Sequence, residues 1–165
     1  MQAVAIARLD DAAIAQAAKD PKALAYGLGV SAMTVLIPGT IRVAGAVADD
    51  LPVNWLGLVI GTSVLIVMVA ILTTFQMGAC HLLARWWFQA QGSFIALLRP
   101  MFLGNIVFWV ASIPYIGVPV ASLWSIAVLM TVFEEVDKIR RMQAFGLSFC
   151  VGLVFRMVEY SVLRP

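Results

Sequence analysis

The chain has one histidine and two cysteines in 165 residues, and only 12% of its residues are charged. Each scarcity excludes something. A single histidine rules out a paired-histidine metal motif and a bis-histidine haem, which leaves His81 at most one axial bond to a chlorophyll or a five-coordinate haem; a histidine bonded to a neighbour at the membrane interface is the plainer expectation. Cys80 and Cys150 lie in apolar runs and match no paired-cysteine metal or redox spacing, so both are expected to be buried thiols. There is no Gly-x-Ser-x-Gly elbow and no glycine loop of the kind that cradles phosphate. Glu134, Glu135 and Asp137 are carboxylates, but they adjoin Lys138, Arg140 and Arg141, which reads as a solvated charged loop. The expectation is a protein that is not an enzyme and has no cofactor or metal. A net charge of +2, with the basic residues in short scattered groups, sets nucleic acid aside as a partner.

What is abundant is apolar sequence. Hydrophobic residues make up 62% of the chain, whereas soluble domains carry roughly 25% charged residues. The class is an all-α integral membrane protein with the lipid bilayer as its solvent. Residues 1–20 carry Asp10, Asp11 and Asp20 and lack the basic start and unbroken apolar core of a secretory signal, so they are expected to stay on the protein. Ile6, Ile14, Ala17 and Ala18 against the charged positions suggest either a weak surface helix, cytoplasmic or interfacial, or a frayed polar tail.

From residue 21 to 165 the chain reads as one membrane domain of five spans, at about 22–47, 55–84, 99–114, 118–135 and 142–163. Asp20 and Pro21 suit the start of the first, and Pro38-Gly39 should kink it. A single helix from Arg99 to Glu134 would run about 54 Å at ~1.5 Å per residue, against a ~30 Å hydrocarbon core. Pro114, Gly117 and Pro119 in "SIPYIGVPVAS" therefore divide that stretch into two short spans, a Pro/Gly hairpin, with a re-entrant hairpin as the alternative. Arg8, Lys19, Lys22, Arg85, Arg99, Lys138, Arg140 and Arg141 all fall in odd-numbered connections, while "ADDLPVN" has no basic residue. By the positive-inside rule the N-terminus is cytoplasmic.

On this map, "HLLARWWFQAQGSFIALLRP" from His81 to Pro100 is a cytoplasmic elbow. Arg85, Trp86 and Trp87 suit the headgroup level, Gly92 allows a bend, Ser93 can cap a short helix containing Phe94, and Pro100 can open the third span. Together with "DPKALAYG", "IPYIG" and "FEEVDKIRRMQAFGL", the stretch "GACHLLARWWFQAQGSFIALLR" resembles the Yip family, the Ypt/Rab-interacting membrane proteins, in its shorter bacterial form. The resemblance covers nearly the whole chain and implies five spans with a cytoplasmic N-terminus. Eukaryotic members are linked to small prenylated GTPases and vesicle traffic. The sequence carries no Asp-Leu-Tyr-Gly-Pro motif and a long cytoplasmic N-terminal domain is not expected, so the resemblance implies fold and membrane placement and not GTPase partnership.

Ionisable groups inside spans are costly and usually paired or functional. Arg156 and Glu159 share one helical face, and Arg42 should reach the same depth, so Glu159 is expected to bridge spans one and five as an intramembrane ion pair. Gly57 and Gly61 form a small-xxx-small pair, expected to pack inside the bundle, with a homo-oligomer face as the other use. The function expected is a non-enzymatic Yip-like protein of the bacterial inner membrane that binds other membrane proteins. Two alternatives remain open: an accessory subunit of a larger energy-converting or pigment complex, and a small transporter using Arg42, Arg156 and Glu159.

Overall fold

A computed structural model describes the backbone of residues 1–163 and the side chains of residues 1–152. Every regular element among the described residues is helical: α1 (Gln2–Ala7), α2 (Asp11–Lys19), α3 (Ala23–Ala48), α4 (Trp55–Phe88), α5 (Phe94–Gly104), α6 (Gly117–Val132) and α7 (Arg141–Leu163). α5 continues as a 3-10 segment, Asn105–Ser112, and α6 ends in a π turn, Phe133–Asp137. Among the described residues, four helical stretches are long and apolar enough to cross a membrane: Ala23–Ala48, Trp55–Phe88, Phe94–Ser112 and Gly117–Asp137.

Local chemistry sets most of the ends. The Asp10 carboxylate accepts the Ala13 N–H at 3.1 Å and starts α2, which has Asp11 in its first turn and Lys19 in its last, as the helix dipole favours. The Asn54 side chain accepts from Gly57 N at 3.0 Å and caps α4. Ser93 Oγ accepts from Ala96 N at 3.2 Å and begins α5. α5 then runs on through Pro100, so that proline lies inside the helix and does not open it. In the 3-10 segment the rise is ~2.0 Å per residue, so Phe94–Ser112 extends about 32 Å and the stretch reaches further than an α-helix of equal length. A turn at Ile113–Ile116, with Tyr115 at φ 66°, brings α6 back. Gly117 lies so close to the Val110 carbonyl that a side chain there has no room.

The packing is lopsided. The buried residues of α3 (Ala23, Gly27, Ser31) lie in its first third and those of α4 (Met77, Cys80, His81, Ala84) in its last, while α5 is buried from Leu97 to Gly104 apart from the half-buried Arg99. No residue from Trp55 to Gln76 is buried. One end of the bundle is therefore a packed body around α5, and the other is open. At the packed end Gly27 is pressed against Phe102, and Asn105 Nδ2 donates to Ser31 Oγ at 2.7 Å, which satisfies two polar groups inside an apolar bundle.

Residues 1–20 are helical, as their pattern suggests, and one face of them packs on the bundle. Leu9, at φ 62°, turns the chain so that α1 and α2 both lie on α5, with Ile6, Ile14 and Ala17 fully buried. Trp124 Nε1 donates to the Ala7 carbonyl at 2.7 Å, and Arg99 Nη1 donates to the Ala18 carbonyl at 2.8 Å, where the C-terminal end of α2 favours a cation. Cys80 is buried as expected, but Cys150 is exposed, because the apolar run that holds it turns that side away from the bundle.

Candidate functional site: a buried histidine–aspartate tie

The elbow is shorter than the sequence suggests. α4 runs on to Phe88, and only Gln89–Ser93 are non-helical before α5. Gln89 ends α4 in the left-handed conformation, φ 56° and ψ 39°, and Ala90 N donates back to the Ala84 carbonyl at 3.3 Å. The chain then passes beneath the π turn, where Gln91 N donates to the Asp137 carbonyl at 3.3 Å.

His81 and Asp137 meet inside this bend. His81 Nδ1 lies 3.5 Å from Asp137 Oδ2, with side-chain exposures of 7% and 0%. Neither Asp137 oxygen nor His81 Nδ1 has a hydrogen bond of normal geometry, so the two groups face each other in close contact without a well-formed bond. The Phe94 ring is 5.9 Å from the His81 ring and covers it. Gly92 closes the other side: a Cβ there would collide with Asp137 Oδ1 and lie 2.7 Å from the Val136 carbonyl. Only glycine lets the elbow backbone come this near.

Asp137 corrects the sequence reading of the charged loop. Glu135 pairs with Lys138 at 3.2 Å and Glu134 with Arg141 at 3.8 Å, both partly solvated pairs of small energetic weight. Asp137 instead ends a π turn, whose wider winding shifts the register so that this carboxylate faces inward. Lys138, at φ 55°, then turns the chain towards α7. His81 and Asp137 lie on opposite sides of the elbow in the sequence, and the one available signal was that a lone histidine in an apolar run needs a polar partner. The pair ties α4, the elbow and the end of α6 together. Among the described residues no group of three or more His, Cys, Asp or Glu could hold a metal.

The other predicted residues scatter. Arg85, Trp86 and Trp87 are exposed on the last turns of α4, with the two indoles stacked at 6.1 Å. Arg42, Gly57 and Gly61 lie at the open end, lining a groove between α3 and α4. Gly57 meets only the side chain of its own cap, Asn54, and Gly61 has nothing within 4 Å. The side chains of Arg156 and Glu159 lie outside the described residues, and so does the bridge expected between spans one and five. α7 packs on α4 and α6.

The elbow contact can be tested directly. Gly92→Ala is expected to destabilise the protein by about 1–3 kcal/mol, since a buried backbone and carboxylate must shift to admit the methyl group. Gly29→Ala, on an open helical surface with nothing within 4 Å, should instead be neutral or stabilising by up to about 1 kcal/mol. Thermal unfolding in a mild detergent reads both, and equal effects would mean that the elbow is not tightly seated. A comparison of the chain with family models found no match, and neither did comparisons with curated proteins and with solved structures.

Proposed function

We propose that the chain is a five-span, non-enzymatic, Yip-like protein of the bacterial inner membrane, with its packed end on the cytoplasmic side, and that it acts there by binding other membrane components. The observation that carries this reading is the length of α4. From Trp55 to Phe75 the helix covers about 30 Å, the thickness of the hydrocarbon core, and exposes apolar side chains throughout. It then continues for about another 20 Å to Phe88. Along that continuation Leu82 is 69% exposed, Trp86 78% and Trp87 59%, while His81 on the inner face is tied to Asp137. Aromatic side chains presented on a rigid element are what binding surfaces use as anchors.

Two further features support the arrangement. The 23 residues of α7 amount to about 34 Å, enough for a fifth crossing. Arg85, Lys138, Arg140 and Arg141 gather at the packed end, whereas Asp49 and Asp50 mark the open end. With Cys80 and Cys150 replaced by serine, single cysteines at Asp49 and Pro165 are expected to react with an impermeant reagent from outside intact cells, and cysteines at Gln91 and Lys138 are not. Labelling at Gln91 from outside would overturn the orientation.

The binding role is tested by purification from native membranes in mild detergent, with the co-migrating proteins identified by mass spectrometry. The expected result is a defined set of partners that is lost in a Trp86→Ala/Trp87→Ala variant of unchanged thermal stability. Partners retained by that variant would put the contact surface elsewhere, and ion flux by the pure protein in liposomes would favour the transporter.

A further inference from the structure

The open ends of α3 and α4 line a wide, open groove of about 570 Å³. Gly39, Arg42 and Ala46 line it from α3, and Gly57, Gly61 and Leu65 from α4. Glycines on two neighbouring helices ordinarily draw the backbones together. Here they do not, since a Cβ added at Gly39 or at Gly61 would meet nothing within 4 Å. In a bilayer such a space is filled, and its apolar walls and size suit an acyl chain.

The polar end of the groove narrows the ligand. Arg42 has neither a hydrogen bond nor an ion pair among the described residues, and it lies about 9 Å along the axis from the end of α3 at Ala48. A guanidinium at that depth is costly without an anion, its long side chain can reach towards the headgroups, and its planar fork matches a phosphate diester. Just beyond it, where α3 ends, stand the exposed Asp49 and Asp50, and this loop contains no lysine or arginine. The order along the membrane normal is therefore a cation and then two anions. A zwitterionic headgroup presents the complement in the same order, phosphate and then ammonium, whereas a purely anionic headgroup would meet the two aspartates with like charge.

We propose that this groove binds one zwitterionic glycerophospholipid from the leaflet at the open end, with an acyl chain along Gly39, Gly57 and Gly61, the phosphate on Arg42, and the ammonium towards Asp49 and Asp50. The site is independent of which side of the membrane the open end faces, and of what binds the aromatic end of α4.

The test uses the full chain, delipidated in detergent and titrated with a dioleoyl ethanolamine phospholipid, with bound lipid counted by native mass spectrometry. The expected result is one tightly held molecule, with binding weakened about tenfold or more in Arg42→Gln. Gly61→Phe fills the groove without altering charge and should weaken binding similarly, while its thermal unfolding stays that of the wild type. Asp49→Asn/Asp50→Asn should erase the preference for ethanolamine over glycerol headgroups. Equal retention of lipid by the wild type and Arg42→Gln would overturn the proposal, as would equal affinity of the wild type for ethanolamine and glycerol headgroups. Loss of a dimer in Gly61→Phe with lipid binding intact would overturn it in favour of a second copy of the chain in the groove.

Discussion

Replacing Asp137 by alanine is expected to cost the folded bundle about 1–3 kcal/mol, the range for leaving a buried polar group without its partner. The carboxylate is fully buried 3.5 Å from His81 Nδ1, and that nitrogen is buried as well. Without Asp137, the imidazole is left among Phe94 and the α4 backbone with no polar partner, and the methyl group leaves a void under Gly92. His81→Ala should be comparably damaging, because it strands a carboxylate in an apolar site. The informative variant is His81→Leu/Asp137→Leu. Replacing both members of a buried pair by apolar residues of similar size is often neutral or stabilising, so the double variant should recover much of what either single change loses. Detergent-induced unfolding, followed by loss of helical signal, is measured for this double variant and for His81→Leu and Asp137→Leu alone, which closes the cycle. Strictly additive losses would mean that the two groups do not interact, and the elbow would then be held by the backbone bond from Gln91 and the Gly92 contact alone.

Ile6→Ala and Ile14→Ala are expected to destabilise by about 2–5 kcal/mol each, the range for truncating a fully buried isoleucine. Both side chains have no exposed surface, and they hold α1 and α2 against α5. Val4, exposed on the same short helix, is the control: Val4→Ala should change stability by no more than about 0.5 kcal/mol. Hydrogen exchange should reveal more than the size of the loss. If the N-terminal helices are part of the packed body, Ile14→Ala should raise exchange in α5 around Leu97–Phe102 as well as in α2, because those residues lose their cover. Faster exchange confined to residues 1–20 would show that the two helices sit on the bundle without supporting it.

Which stretches are long and apolar enough to cross a membrane was legible in the sequence, and the reason is physical. Hydropathy and length are local sums, so the runs at Ala23–Ala48 and Trp55–Phe88, and the break at Pro114 to Gly117, need no knowledge of what packs on what. Helix caps are equally local, and Ser93 begins a helix because its hydroxyl reaches an amide three residues on. Burial is a different kind of quantity. Whether Ile14 lies on a surface or in a core depended on Leu9 folding α2 back onto α5, and whether Asp137 is solvated depended on a π turn that aims it between α4 and the elbow. Gly57 and Gly61 form a packing motif in the sequence, yet neither meets a neighbouring helix and both line a groove between α3 and α4. In each of these cases the deciding contact joins residues far apart in the chain. Composition and periodicity give helices long and apolar enough to cross a membrane, and only the tertiary structure decides which of the chain's few polar groups meet.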